Sequence, residues 1–74
     1  MTYNSKYPEA LALKKYLADR GLTYVHFHDQ CGGQFFSFDN PDPVSKDAVI
    51  EFWREKGLGV SFTDDDLTFV ITEE

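Results

Sequence analysis

Seventy-four residues make about half of an ordinary domain, too little chain for two cores or a deep catalytic cavity. The single cysteine excludes an internal disulfide, and no apolar run approaches the ~20 residues that a membrane span needs. A net charge of −6 argues against binding phosphate backbones or anionic membranes, both of which draw on Lys and Arg.

The charge is unevenly placed. Residues 1–28 carry four basic and two acidic side chains, whereas residues 29–74 carry three basic and eleven acidic ones. A basic partner suits such a chain better than an acidic one. The opening MTYNSKYPEA has no charged-then-apolar signal pattern, so a cytoplasmic soluble protein is expected. Sixteen per cent aromatic residues supply the apolar surface that a core this small requires, since such cores often net only ~3–5 kcal/mol.

Residues 1–6 read as a polar lead-in, expected to fray. Pro8 suits a first helical turn, and residues 9–20 continue with good helix formers in which Ala10, Leu13 and Leu17 share a face flanked by Tyr16. Gly21 ends this helix. The period then changes to two: 24–28 alternates, residues 29–33 form a turn with Gly32 and Gly33, and 34–38 alternates again, a hairpin.

A second helix begins after Asp42, which can cap it, with Pro43 in its first turn and Arg54 and Lys56 in its last, where cations suit the helix dipole. Val49, Phe52 and Trp53 form its apolar stripe. Gly57 ends it, and a second hairpin follows from 59–63 through Asp64, Asp65 and Asp66 to 67–72. Asp19-Arg20-Gly21-Leu22 and Glu55-Lys56-Gly57-Leu58 match as acidic, basic, Gly, Leu. Both have the form of a left-handed glycine cap with the Leu folded back on the helix, and they divide the chain into two helix-hairpin units, about 7–38 and 43–72, of one domain.

The expected fold is therefore α+β: an αββαββ two-layer sandwich, with a four-stranded, mainly antiparallel sheet and two helices on one face. This order resembles a circularly permuted ferredoxin-like fold with a pseudo-two-fold repeat, a resemblance of architecture that implies no function. Strands 34–38 and 67–72, richest in large apolar residues, belong in the middle of the sheet, with 24–28 and 59–63 at its edges. A homodimer that exchanges the same elements is the rival arrangement.

Alternation assigns Val25, Phe27, Phe36, Phe38, Val60, Phe62, Leu67, Phe69 and Ile71 to the helices. The opposite face then holds Tyr24, His26, His28, Phe35, Ser37, Ser61, Thr63, Thr68, Val70 and Thr72, without a charged residue. A solvated sheet face normally carries charge, so this one is a candidate contact surface. Cross-strand Thr and aromatic pairs that merely stabilise an exposed sheet are the plainer explanation. Asp64, Asp65 and Asp66 are expected to join Asp29 in an acidic rim at one end of the sheet, a docking edge or a solvated turn.

His26 and His28 project to one face, with Cys31 after them. Two histidines and a thiolate belong to the vocabulary of zinc ligands, but a site needs three or four at ~2.0–2.3 Å. Exposed edge-strand histidines are the simpler reading. Cys31 as a nucleophile would also need an oriented base and a cleft. The function expected from these features is a small, acidic, non-catalytic protein-binding module without a cofactor. An inhibitor of a basic, nucleic-acid-processing partner is one form of it. Partner contacts would come from Tyr24, His26, His28, Phe35, Asp64, Asp65 and Asp66. The alternative is a metal- or thiol-dependent protein centred on His26, His28 and Cys31.

Overall fold

A computed structural model describes residues 2–30 and 32–73. It contains α1 (Tyr7–Asp19), β1 (Val25–Gln30), β2 (Gly33–Phe38), α2 (Pro43–Arg54), β3 (Leu58–Phe62) and β4 (Thr68–Glu73). The strands form one antiparallel sheet in the order β1-β2-β4-β3. The two strands richest in apolar residues thus sit in the middle, as their patterns require.

Local chemistry explains the boundaries. At the start of α1 the Glu9 carboxylate accepts from the Lys6 N–H at 2.8 Å, occupying a donor that the first turn leaves open. At its end Gly21 has φ 68°, and Leu22 N–H bonds Leu17 O while Gly21 N–H bonds Ala18 O. These are the two crossed bonds of a Schellman cap, with Leu22 packed against the core. Asp42 caps α2, accepting from Val44 N–H at 3.2 Å and from the Ser45 hydroxyl at 2.7 Å. Ser45, fully buried, accepts in turn from Thr23 N–H at 3.2 Å, so it ties the chain entering β1 to the start of α2. Gly57, at φ 79°, turns the chain out of α2 into β3.

The core is a single cluster in which Ala10, Leu13 and Leu17 of α1 and Val49 and Trp53 of α2 meet Val25, Phe36, Phe38, Phe69 and Ile71. All five strand residues have one alternation parity, so both helices lie on the same face of the sheet. Trp53 has no exposed surface and packs near Tyr3, Phe36 and Phe52, while Phe36 stacks on Phe69 with centroids 5.1 Å apart. Phe52 stands at the border of the cluster, its ring edge-on to Tyr16 of α1 at 5.1 Å.

Two expectations need correction. The lead-in does not fray: Tyr3 N–H bonds Ile71 O at 2.8 Å, Thr2 bridges Thr72, and the Gln34 amide donates to Ser5 O at 2.8 Å. Pairing between β2 and β4 covers Phe36↔Phe69 and Ser37↔Thr68. Toward the other end of β4 the outward backbone groups would lack partners, and Thr2 and Tyr3 take that place. Ser5 is 3% exposed, and the Tyr3 hydroxyl donates to the Glu9 carboxylate at 2.9 Å.

The second correction concerns the acidic rim. Gln30 pairs with Gly33, so Asp29 lies within β1, opposite Gln34, and the hairpin needs only a two-residue loop. Ser37↔Thr68 places the β3–β4 turn at the end of the sheet where β2 finishes, whereas the β1–β2 turn lies at the end where β2 begins. Asp29 and Asp64–Asp66 are therefore at opposite ends and form no common rim.

Candidate functional site

The sheet face away from the helices presents His26, His28, Phe35, Ser37, Ser61, Thr68, Val70 and Thr72, and none of these positions is charged. Along β1 and β2 the aromatic members join into one row. Tyr24 meets His26 edge-on at 4.9 Å, His26 and His28 are 6.4 Å apart, and His28 stacks on Phe35 at 4.4 Å with only 13° between the planes. The cause is cross-strand register: His28 pairs directly with Phe35, and successive same-face residues of β1 bring Tyr24, His26 and His28 into line.

Hydrogen bonds fix this row from the side. His26 Nε2 lies 3.0 Å from Asp39 Oδ1, and His28 Nε2 lies 2.9 Å from Ser37 Oγ. Tyr24 precedes β1 and wraps around the edge of the sheet: its hydroxyl accepts from Lys14 Nζ of α1 at 2.8 Å, with the ammonium 4.7 Å from the ring centre. It remains 57% exposed. His26, His28 and Phe35 are half-buried, as expected of rings lying against one another on an open sheet.

Tyr24, His26, His28 and Phe35 are thus brought together, while the aspartates divide into different roles. Asp65 accepts from the Thr63 hydroxyl at 2.6 Å and from Leu67 N–H at 3.0 Å. The Thr63 bond first, and the Leu67 bond after it, hold its carboxyl below the usual carboxylate range. Asp66 occupies the left-handed region at φ 59° and pairs with Lys46 of α2 at 2.9 Å. Asp64 is exposed and makes no salt bridge among the described residues. Two aspartates therefore shape the turn and one is left to the solvent. The turn shares its end of the sheet with Tyr24, His26 and Asp39, across two to three strand spacings of about 4.8 Å each.

The metal reading receives two nitrogens that turn to different partners, Asp39 and Ser37. Among the described residues no group of three His, Cys, Asp or Glu side chains is placed to hold an ion. Cys31 lies outside the described residues. No described helix is long and apolar enough to cross a membrane.

Asp39 and Lys14 escaped the reading of the sequence. Asp39 was legible in principle, because a two-residue loop between β1 and β2 places the residue after Phe38 beside the start of β1. Lys14 depends on how α1 lies over the edge strand, which no local pattern encodes.

The chain matches no protein-family model, no curated protein and no solved structure.

Proposed function

We propose that this is a small, non-catalytic protein-binding module that docks through its uncovered sheet face. The observation that carries the reading is the Tyr24-His26-His28-Phe35 row, an aromatic strip on a face without strand charges. Tyrosine and stacked rings offer large contact area at small entropic cost, and clusters of this kind dominate binding energy when a partner excludes water from them. Charge depletion in the patch with acidic residues at its margin, Asp39 and Asp64, has the layout of an apolar contact with a polar rim.

The partner that fits is a protein with a basic surface. The net charge of −6 would draw it in, and the same charge repels phosphate backbones and anionic lipid. One form of this reading is an acidic inhibitor that covers the nucleic-acid site of a cytoplasmic enzyme. Its support is size, charge and the uncovered face. The two halves, each a helix, a positive-φ glycine and a hairpin, and the β1-β2-β4-β3 order support reading the fold as a duplicated, permuted ferredoxin-like unit.

Matched baits test the binding reading. Wild-type protein and a Tyr24→Ala/Phe35→Ala variant, both verified as folded by circular dichroism, are used for affinity capture from the native cell with mass-spectrometric readout. A basic protein retained by the wild type and lost from the variant is the expected outcome. Equal retention by both baits would refute docking through this face.

A further inference from the structure

The chain has two histidines, and both stand in the middle of the aromatic row, their rings 6.4 Å apart. Histidine is the side chain that ordinarily changes charge between pH 5 and 8, whereas carboxylates and lysines ordinarily keep theirs across that interval. A sheet face without strand charge at neutral pH therefore holds two sites where positive charge arises on mild acidification.

The surroundings of the two rings differ. His26 Nε2 lies 3.0 Å from Asp39 Oδ1, and the pair is open to water, its side chains 39% and 73% exposed. A proton taken up by His26 sits beside a carboxylate and cancels its charge. His28 Nε2 lies 2.9 Å from Ser37 Oγ, and its ring stacks on Phe35 at 4.4 Å, so neither contact offers a carboxylate. The charged and titratable groups that face the row are Asp39 after β2, the Tyr24 hydroxyl, and Lys14 of α1, which donates to that hydroxyl at 2.8 Å. Asp29 follows His28 in β1 but alternates to the other side, and β2, β4 and β3 present no charged side chain on this face.

We propose that mild acid releases the basic partner from this face, with His28 as the repelling group and His26 as the group that cancels Asp39. The inference rests on docking through the aromatic row. Once docked, His28 is taken out of water against a surface of positive charge. A cation there loses its hydration and gains no carboxylate, so the contact admits the neutral ring. Neutral His26 leaves Asp39 its charge at the polar rim, where a basic surface can pair with it, and protonated His26 removes that attraction. Both effects have the same sign. Proton uptake weakens binding, and by linkage binding lowers the pH at which the two rings take up protons.

The test uses the basic protein that wild-type bait retains and Tyr24→Ala/Phe35→Ala bait loses. Its dissociation constant is measured at about pH 7.5 and about pH 5.5, at constant ionic strength, with wild type, His26→Gln and His28→Gln. Glutamine keeps a hydrogen-bonding amide at either position and takes up no proton. The wild type should bind about tenfold or more weakly in acid, the loss for one group that must shed its proton a pH unit below its titration. His28→Gln should remove most of that loss and His26→Gln part of it. The His28 ring, followed by NMR, should titrate at lower pH in the complex than in the free chain. Circular dichroism should show the fold intact at the lower pH, and unfolding there would overturn the switch. So would an affinity equal at the two pH values, or a loss undiminished in both variants, and each of these leaves docking in place. Failure of the wild-type bait to retain any such protein at the higher pH would refute the docking reading itself, and the switch with it.

Discussion

Gly21 and Gly57 give the cleanest quantitative test of how the two helices hand the chain to the sheet. Both occupy the left-handed region, at φ 68° and φ 79°, and a Cβ built on either meets nothing within 4 Å. Replacement by alanine therefore adds no clash, and the cost is conformational alone. An L-residue held in this region loses about 1–2 kcal/mol, offset by about 0.4–1 kcal/mol because alanine also restricts the unfolded chain. A net loss near 1 kcal/mol should lower the melting temperature of a domain this size by about 4–8 °C. The glycines lie at opposite ends of the sheet, one before β1 and one before β3, so the double variant should show the sum of the single losses. Asparagine should cost less than alanine at both positions, since its side chain tolerates the conformation. Gly32→Ala is the control: it is not in the left-handed region, it has open space around it, and it should change stability by less than about 0.5 kcal/mol. Thermal and urea unfolding followed by circular dichroism provide the numbers. Alanine variants that melt with the wild type would refute the cap assignment, and with it the physical basis for reading the halves as related.

Trp53→Ala should cost roughly 3–5 kcal/mol, the range for emptying a large buried aromatic site, against a total of roughly 4–11 kcal/mol for a chain of this length; urea titration should find it largely unfolded, and native Trp53 fluorescence at the water-exposed maximum would contradict its burial. Asp65 titrates below the usual aspartate range in the fold, so it contributes stability that is present above that range and lost as pH falls through the lowered value; Asp65→Asn should flatten the acid limb of the stability profile, and an unchanged limb would remove the role given to the Thr63 and Leu67 bonds. Zinc should leave the melting temperature of the wild type unchanged, because His26 and His28 direct their Nε2 atoms to separate partners; a stoichiometric upward shift abolished by His26→Ala/His28→Ala would promote the metal reading.

The helices, the hairpins and the central pair of strands were legible because period, capping residues and glycine stops agree with one another, as at Asp42-Pro43 and Gly57. The aromatic row was legible as a shared face, since alternation alone places His26 and His28 together. Three features lay beyond local pattern. The lead-in looks polar, yet Thr2 and Tyr3 pair with β4 because β2 and β4 stop pairing beyond Phe36↔Phe69, a consequence of how the sheet assembles. The rim of Asp29 with Asp64–Asp66 failed because strand order and register, and not charge, decide which turns share an end. The three neighbouring aspartates look equivalent in sequence, but Asp65 closes its own turn, Asp66 reaches Lys46, and Asp64 makes no salt bridge among the described residues.

Association and dissociation rates with the captured partner, measured at two salt concentrations, test the docking face most directly. Phe35→Ala should accelerate dissociation while association stays within about twofold of the wild type, because a desolvated ring acts after encounter. Asp64→Asn should instead slow association and reduce its dependence on salt, because it acts through long-range attraction that ions screen. Rates unchanged in both variants would contradict docking through this face.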